Sequence, residues 1–572
     1  MQININTTGL KKISQQPQKS YFALGLLIFA LVVWLVLFTM GLTGYSGSKA
    51  AYVLFSIVTG IMLVTSFRKI TSYGYSFLCV FLWLGFWLKL TIHIILDYPF
   101  VEPVGSFVGS AQAWNQVLYI ATVASLGVIF GKLIYNQLIY RFGPKQCKET
   151  PFAPPWYAKV RKWLWAGLMW ITFGVIFTNF KYGIHQIGLA PHTVLMWPLN
   201  AGIAWLLNIG LATCIAVMLW WDIALKKNLT IPIYAIIVEA LVSSVSILSR
   251  AAYVFHAIPQ LWAAYRVNYS IKGWSPSKKG LLVIIFLLLL LVSVSAVTTF
   301  RNILYQSGMY SSTAFQVASS RSEVLTSEIA LLQLKVKKSS PAEQLLLERR
   351  LVELMAEKLK FDSIAVQEKE KSIAARKSDS AHSKVLLNEF GYQITGGSAA
   401  LILQLSLDRW IGLEGLMAVQ SYPEKNVHLL WQALNEKPEA GKSDIYQTIS
   451  NSIYLKSDGA KFRFATLPGA GALLYYSGSF FIVLLGMIFF SFSVLTIEFV
   501  INTLTANPII CSLYGAVIAS NIAQLGGSPR LSLPYFFMLA CGILLVWMVQ
   551  TNFFTQMLYR LKLVRTKQPS DD

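Results

Sequence analysis

Charge is scarce in this chain, and acidic charge scarcer still. Only 13% of the 572 residues are Asp, Glu, Lys or Arg, while 55% are hydrophobic. The apolar residues fall into repeated runs of about 20, the length that crosses a hydrocarbon core. Basic residues outnumber acidic ones by 48 to 26, and the formal charge of +22 would suit a nucleic-acid binder. The lysines and arginines outside the long loop, however, cluster in short connections between apolar runs, as the positive-inside rule requires. The basic balance therefore reports membrane orientation and excludes nucleic acid as a partner. Cysteine is equally sparse: the five, at 79, 147, 214, 511 and 541, avoid the long loop, which excludes a disulfide scaffold there. With no CxxC and no Cys/His cluster, no metal site is expected. Also missing are a Walker loop, a nucleotide fingerprint, HExxH and GxSxG in a strand-turn-helix setting, so no cofactor is implied. No internal repeat supports a transporter of two related halves.

What is there is a polytopic all-α membrane protein. Clear spans lie near 21 to 41, 50 to 66, 74 to 95, 114 to 138, 162 to 181, 198 to 224, 230 to 248, 279 to 300, 472 to 500, 508 to 525 and 533 to 553. The first is too long for a signal-peptide core and lacks a small-residue cleavage site, so it reads as a retained anchor. Lys11, Lys12 and Lys19 place the N-terminus in the cytoplasm, and the basic turns after spans two, four and six obey the same rule. Beyond span seven the basic stretch ending at Lys278 and Lys279 also belongs inside, so parity requires one more crossing, over Ala251 to Tyr265, weakened by His256 and Pro259. About twelve spans result. They divide into an N-terminal bundle over 1 to 300, an extracytoplasmic loop domain over 301 to 471, and a C-terminal bundle with a cytoplasmic tail over 472 to 572.

The loop domain has two parts. Residues 314 to 376 are rich in Glu, Lys, Ala and Leu with heptad-like apolar spacing, broken at KKSSPAEQ. There Ser340, Pro341 and Glu343 make an N-cap, first-turn proline and capping box, which predicts an antiparallel helical hairpin with a solvated charged face. Residues 390 to 470 regain Trp, Tyr, Gly and Pro and are expected to lie against the membrane domain.

Arginines mark one face. Arg250 ends span seven in SSVSILSR, Arg301 opens the loop, Arg409 lies in SLDRWIGLEGLMAVQSYPEK, and Arg463 precedes PGAGALLYYSG. A guanidinium presents a fixed fork of donors to phosphate oxygens and stays charged when partly desolvated, so the four suit a pyrophosphate clamp. Singly, such residues also snorkel to lipid headgroups, the ordinary reading for Arg301 and Arg463. If 406 to 423 is one helix, Asp408, Gly412, Gly415 and Val419 share a face, leaving a glycine groove where backbone or ligand comes close. Arg409 and Trp410 flank it, and Glu414 lies one turn beyond Trp410. Glu414 and His428, in EKNVHLLW, compete as general base; His185, His192 and His256 are weaker candidates.

The run LDRWIGLEGLMAVQSYP, the segment RFATLPGAGALLYYSG before a span, and the large late outer loop resemble the O-antigen (oligosaccharide repeat-unit) polymerases of bacterial envelopes. The likeness covers roughly 230 to 550 in layout, with motif support at 406 to 423 and 463 to 478; the helical hairpin departs from the usual shorter loop. The resemblance implies a GT-C-like glycosyltransferase of the bacterial cytoplasmic (inner) membrane, multi-pass, with both termini cytoplasmic. It would transfer a glycan from undecaprenyl pyrophosphate to the terminal sugar of another lipid-linked repeat unit at the outer face. Partners would be those lipid-linked oligosaccharides, membrane lipids and, through the hairpin, a chain-length regulator. On that model Arg250 and Arg409 hold the leaving group, Arg463 or Arg301 completes the clamp, Trp410 and Asp408 line the sugar site, and Glu414 or His428 activates the acceptor. A ligase with the same clamp and a different acceptor, and a lipid-linked oligosaccharide flippase, are the other readings.

Overall fold

A computed structural model describes residues 17–67, 72–97, 100, 102–142, 153–188, 191–267, 274–309, 410, 412–437, 444–451, 467–525 and 529–550, with the run 347–363 and scattered positions from 322 to 344. Among the described residues every regular element is helical. Among the described residues eight helices are long and apolar enough to cross a membrane, and three shorter apolar ones, at Ile28–Gly44, Thr230–Ser246 and Pro508–Ala523, accompany them. The protein is a helical polytopic membrane protein.

In chain order the helices are α1 (Pro17–Gly44), α2 (Lys49–Phe67), α3 (Tyr73–Trp83), α4 (Lys89–Leu96), α5 (Ala111–Phe142), α6 (Tyr157–Tyr182), α7 (Trp197–Trp205), α8 (Leu211–Ala224), α9 (Thr230–Ser246), α10 (Arg250–Val267) and α11 (Pro276–Met309). After the loop domain's α12 (Leu413–Ser421), α13 (Val427–Asn435), α14 (Ile445–Ser450) and α15 (Ala470–Tyr475) come α16 (Phe480–Thr505), α17 (Pro508–Ala523) and α18 (Ser532–Gln550). Two spans are continuous helices with a π-bulge inside: Leu84–Leu88 joins α3 to α4, and Leu206–Gly210 joins α7 to α8. Each bulge replaces an i→i−4 bond by a wider turn, with Lys89 N–H reaching Leu84 O and Leu211 N–H reaching Leu206 O. The residues that follow are thereby turned relative to the rest of the helix.

Helix α17 is the axis of the bundle. Asn507 caps it by accepting from the Ile509 and Ile510 N–H groups at 3.0 and 3.3 Å, Pro508 opens it, and nearly every residue is buried. Lipid tails are as apolar as leucine, so the spans gain by close backbone approach. Gly127 and Gly131, four apart on α5, meet α16 in this way: a Cβ at either would stand 2.7 Å from a carbonyl, of Leu484 or Ile488. Glu498 of α16 accepts from the Tyr73 and Gly74 N–H groups at 2.6 Å each and from Ser72 Oγ. A carboxylate so placed satisfies the orphan donors at the start of α3 and matches the positive end of its dipole. Asp222 of α8 takes Arg161 in bidentate form at 2.6 and 2.7 Å, plus Tyr157 Oη at 2.9 Å, tying α6 to α8. The extreme apolar case is α11, whose most apolar 18-residue stretch is only 11% buried and so faces lipid.

One expected crossing is found as a helix, and one expected span is broken. Residues 251 to 265, expected as a weakened crossing, form α10, an 18-residue helix lying between α9 and α17. Its hydropathy is low because His256 and Gln260 are turned inward, both nearly fully buried. The expected span from 472 to 500 is instead interrupted. Gly478 takes φ +72°, Ser479 caps a new helix through the Ile482 N–H, and α16 begins only at Phe480. The apolar piece before it, α15, is a separate short helix packed on α12 and α5.

Of the 314 to 376 segment, Leu325, Ile329 and Leu354 form a small core of their own, with Leu332, Leu351 and Phe361 against it. Ser322 Oγ donates to Asp362 at 2.5 Å across 40 residues, and 347–363 is helical. The KKSSP turn lies outside the described residues, as do 364–409.

Candidate functional site

The segment singled out in the sequence places its helix later than the residue pattern suggests. Helix α12 starts at Leu413, and Gly412 is its non-helical cap at φ −148° and ψ −127°. The glycines serve close backbone packing. A Cβ on Gly412 would lie 1.8 Å from Gly85 O, inside the first π-bulge, and one on Gly415 would lie 2.0 Å from Pro468 O. The proposed ligand groove is thus filled by protein: bundle on one side, the LPGAG turn on the other. From above, Gly105 at φ +65° closes the packing, its N–H donating to Ser450 O at 3.0 Å.

Glu414 points into the bundle. It is 3% exposed and forms an ion pair with Lys89, whose side chain is also buried and whose Nζ donates to Trp410 O at 3.0 Å. The π-bulge at Leu84–Leu88 ends at Lys89 and aims it at the loop. Lys89 therefore holds the start of α12 twice, by charge and by a backbone bond. The Trp410 ring stacks on Phe81 of α3 at 5.9 Å, and Phe81 meets Phe255 of α10 edge-on at 5.5 Å. This aromatic column runs from the loop to the helix that begins with Arg250.

Arg250 is half-buried and donates to Thr298 Oγ1 of α11 at 3.3 Å; one turn on, Arg301 donates to Ile187 O at 2.7 Å. The Ile187 N–H in turn donates to Ile247 O at 2.9 Å, at the α9–α10 corner. Two of the four arginines thus share one patch, formed by the 184–188 turn, the α9–α10 corner and the turn of α11 from Thr298 to Arg301. Arg409, Asp408 and Arg463 lie outside the described residues. His428 is exposed in the first turn of α13, and His192 packs against Gly183. Around α13 and α14, Glu436 accepts from the Ile445 N–H at 2.8 Å. Burial, outweighing that bond, pushes its carboxyl up to about 7, with Asp444 adding to the rise.

The other two candidate histidines stand elsewhere. His256 Nδ1 lies 3.0 Å from Glu239 Oε1, and His185 meets the side chain of Asn208 at 3.0 Å. Sequence reasoning missed Lys89, Glu239 and Glu498 altogether. The signal was available: each is a lone ionisable residue within an apolar span, and such residues are retained only where the interior pairs them.

No protein-family model matches the chain, and no curated protein or solved structure shows significant similarity to it.

Proposed function

We propose that this protein is an O-antigen-type polymerase of the bacterial inner membrane. It has about twelve spans, both termini in the cytoplasm and the loop domain outside. It transfers a glycan from an undecaprenyl-pyrophosphate carrier onto the terminal sugar of another lipid-linked repeat unit. The observation that carries the reading is the docking of α12 onto the bundle by Lys89 and the Trp410–Phe81–Phe255 column. It brings Trp410, the last residue of the LDRW motif, onto an aromatic column that reaches the helix headed by Arg250. Cations near the membrane face suit a substrate whose pyrophosphate sits at the headgroup level while its lipid stays in the bilayer.

Chemistry then assigns work to the arginines rather than to Glu414. A carboxylate sealed beside an ammonium is poorly placed to reach an acceptor hydroxyl, whereas His428 is open to solvent. Arg409 and Arg250 would stabilise the charge that grows on the leaving pyrophosphate.

Electrophoresis of surface polysaccharide from a deletion strain tests the reading. Single-repeat products are expected; long chains retained on undecaprenyl carrier would instead indicate a ligase. Orientation is checked separately, with a cysteine placed at Ser380. An impermeant thiol reagent should label it in intact spheroplasts, and labelling only after lysis overturns the outer placement of the loop.

A further inference from the structure

A second polar site lies inside the bundle, and the polymerase reading makes no use of it. Glu239 of α9 is fully buried and receives Ser243 Oγ at 2.8 Å. His256 of α10, 2% exposed, sets Nδ1 at 3.0 and 3.3 Å from the two carboxylate oxygens and Nε2 at 3.0 Å from Asn208 O. Asn208 belongs to the second π-bulge, where the carbonyl is offered to a neighbouring helix.

The hydrogen-bond inventory fixes what this arrangement can hold. A backbone carbonyl only accepts, so Nε2 carries a proton. The Nδ1–carboxylate line then needs one further proton, as imidazolium facing carboxylate or as neutral imidazole facing carboxylic acid. Either way the pair with that proton is net neutral. Without it, a bare carboxylate faces an imidazole lone pair in an apolar interior, which is costly. We propose that Glu239 and His256 form a proton-binding site within the membrane bundle, holding one exchangeable proton between the carboxylate and Nδ1 and opening to the aqueous phase on the side of the 184–188 turn.

Several observations support exchange over a sealed bond. His185, half-buried in that turn, bonds the Asn208 side chain at 3.0 Å, so one asparagine joins the two imidazoles, by its amide on one side and its carbonyl on the other. The turn lies on the same membrane face as the start of the long loop, since Arg301 bonds Ile187 O. Gln260, one turn along α10, donates to His256 O at 2.8 Å, while its own Oε1 is buried with no hydrogen-bond partner among the described residues. That acceptor is suited to a visiting water. Burial lowers the His185 pKa, against an opposing bond from Asn208, so this ring is mostly neutral and free to pass a proton near neutrality. The other titratable groups facing the pair are Cys214 of α8, toward Glu239, and Tyr514 of α17, beside Cys214. From α11 the pair's surroundings receive Ser293, bonded to Ser244 at 2.7 Å.

Binding is a simple association: the proton enters the line between Nδ1 and the carboxylate, no bond between heavy atoms changes, and charge on the pair goes from −1 to zero. The test uses the full chain in nanodiscs with 15N-labelled histidine, the His256 signals assigned by His256→Gln. At neutral pH, His256 should show a protonated Nε2 and an Nδ1 resonance displaced toward the protonated position; Glu239→Gln should return it to that of an accepting lone pair. An Nδ1 resonance that Glu239→Gln leaves unmoved overturns the proposal. Because that variant can misfold, wild-type protein is also transferred into D2O. Exchange of the shared proton within minutes is expected, slowed at least tenfold by His185→Phe. A shared proton retained for hours, like a core amide, makes the pair a static structural bond and sinks the idea, as does exchange indifferent to His185→Phe.

Discussion

Lys89–Glu414 and Glu239–His256 are both buried acid–base pairs beside a π-bulge, yet they differ in what each joins. The first couples a transmembrane helix to a loop helix 325 positions later in the chain, counting from 89 to 414. Its Nζ also donates to the Trp410 carbonyl, so the pair serves as a latch. The second couples two consecutive helices through an imidazole, the one common side chain that gains and loses a proton near neutrality. A pair that also grips a backbone carbonyl suits docking, and a pair built on an imidazole suits exchange. In both, the bulge does the aiming: one extra residue per turn rotates Lys89 toward the loop in the first span and offers the Asn208 carbonyl to a neighbour in the other.

The comparison breaks most visibly if the latch is cut on one side. Lys89→Met strands the Glu414 carboxylate in the interior, a loss of roughly 3–5 kcal/mol for a buried pair. Membrane abundance and thermal stability in detergent should both fall sharply. The double variant Lys89→Met with Glu414→Leu should recover most of the stability, because neither charge then needs a partner. If the single variant is as stable as the parent, the latch reading is wrong.

Arg409 sharpens the contrast between docking and chemistry, because it precedes Trp410 in the sequence but is assigned to the leaving group. Arg409→Ala should lower turnover by about 100-fold or more with protein level near normal, and Arg409→Lys should retain partial activity, since charge survives but the bidentate fork does not. An assay with purified lipid-linked repeat units, normalised to enzyme amount, decides. Alanine polymerising at the parental rate removes Arg409 from the site.

Much of the bundle was legible in the sequence because its governing signal, apolar runs of membrane length, is local and repetitive. Eight of the helices long enough to cross the membrane follow directly from it. The π-bulges were not legible, since LGFWL and LLNIG look like any other apolar turn. The role of Gly412 and Gly415 was half legible: their spacing announced a close approach, but only packing identifies the approaching atoms as Gly85 O and Pro468 O. The break before α16 could have been read from SGS, where a glycine precedes a serine cap, had the apolar run on either side not hidden it. Lys89 and Glu239 were overlooked because a single charge barely changes the mean hydropathy of a span, although it is the costliest residue in it.

A Cβ at Gly412 probes the same docking surface as the latch from the backbone side, with a smaller expected effect. Gly412→Ala must push α12 away from Gly85 by more than an ångström or deform the bulge, since the added carbon would sit 1.8 Å from a carbonyl oxygen. Overpacking of this kind costs roughly 1–3 kcal/mol. Thermal unfolding in detergent should therefore show a loss below that of Lys89→Met, and Gly167→Ala, with nothing within 4 Å of its added carbon, should be near neutral. Equal effects at 412 and 167 would mean that α12 is not seated on the bulge.

The smallest effect concerns the loop helices beyond the latch, where burial governs the carboxyl of Glu436. Burial raises the Glu436 carboxyl to about 7 from an ordinary 4.5. A raised acid means the folded loop binds the proton more tightly than the unfolded chain does, so the native contribution is fullest below pH 4.5 and is lost as pH rises through about 7. The joint between α13 and α14 should accordingly loosen between pH 5 and 8, in the direction opposite to a salt-bridged carboxylate. Hydrogen exchange at the Ile445 amide, which donates to Glu436, reads this directly once corrected for the intrinsic pH dependence of exchange. Protection should fall severalfold from pH 5.5 to 8 in the parent, and Glu436→Gln, neutral at every pH, should flatten the change. A parent whose protection holds or rises over that range would show Glu436 to be a stabilised carboxylate, and the two acids of the loop domain would then be held by the same physics after all.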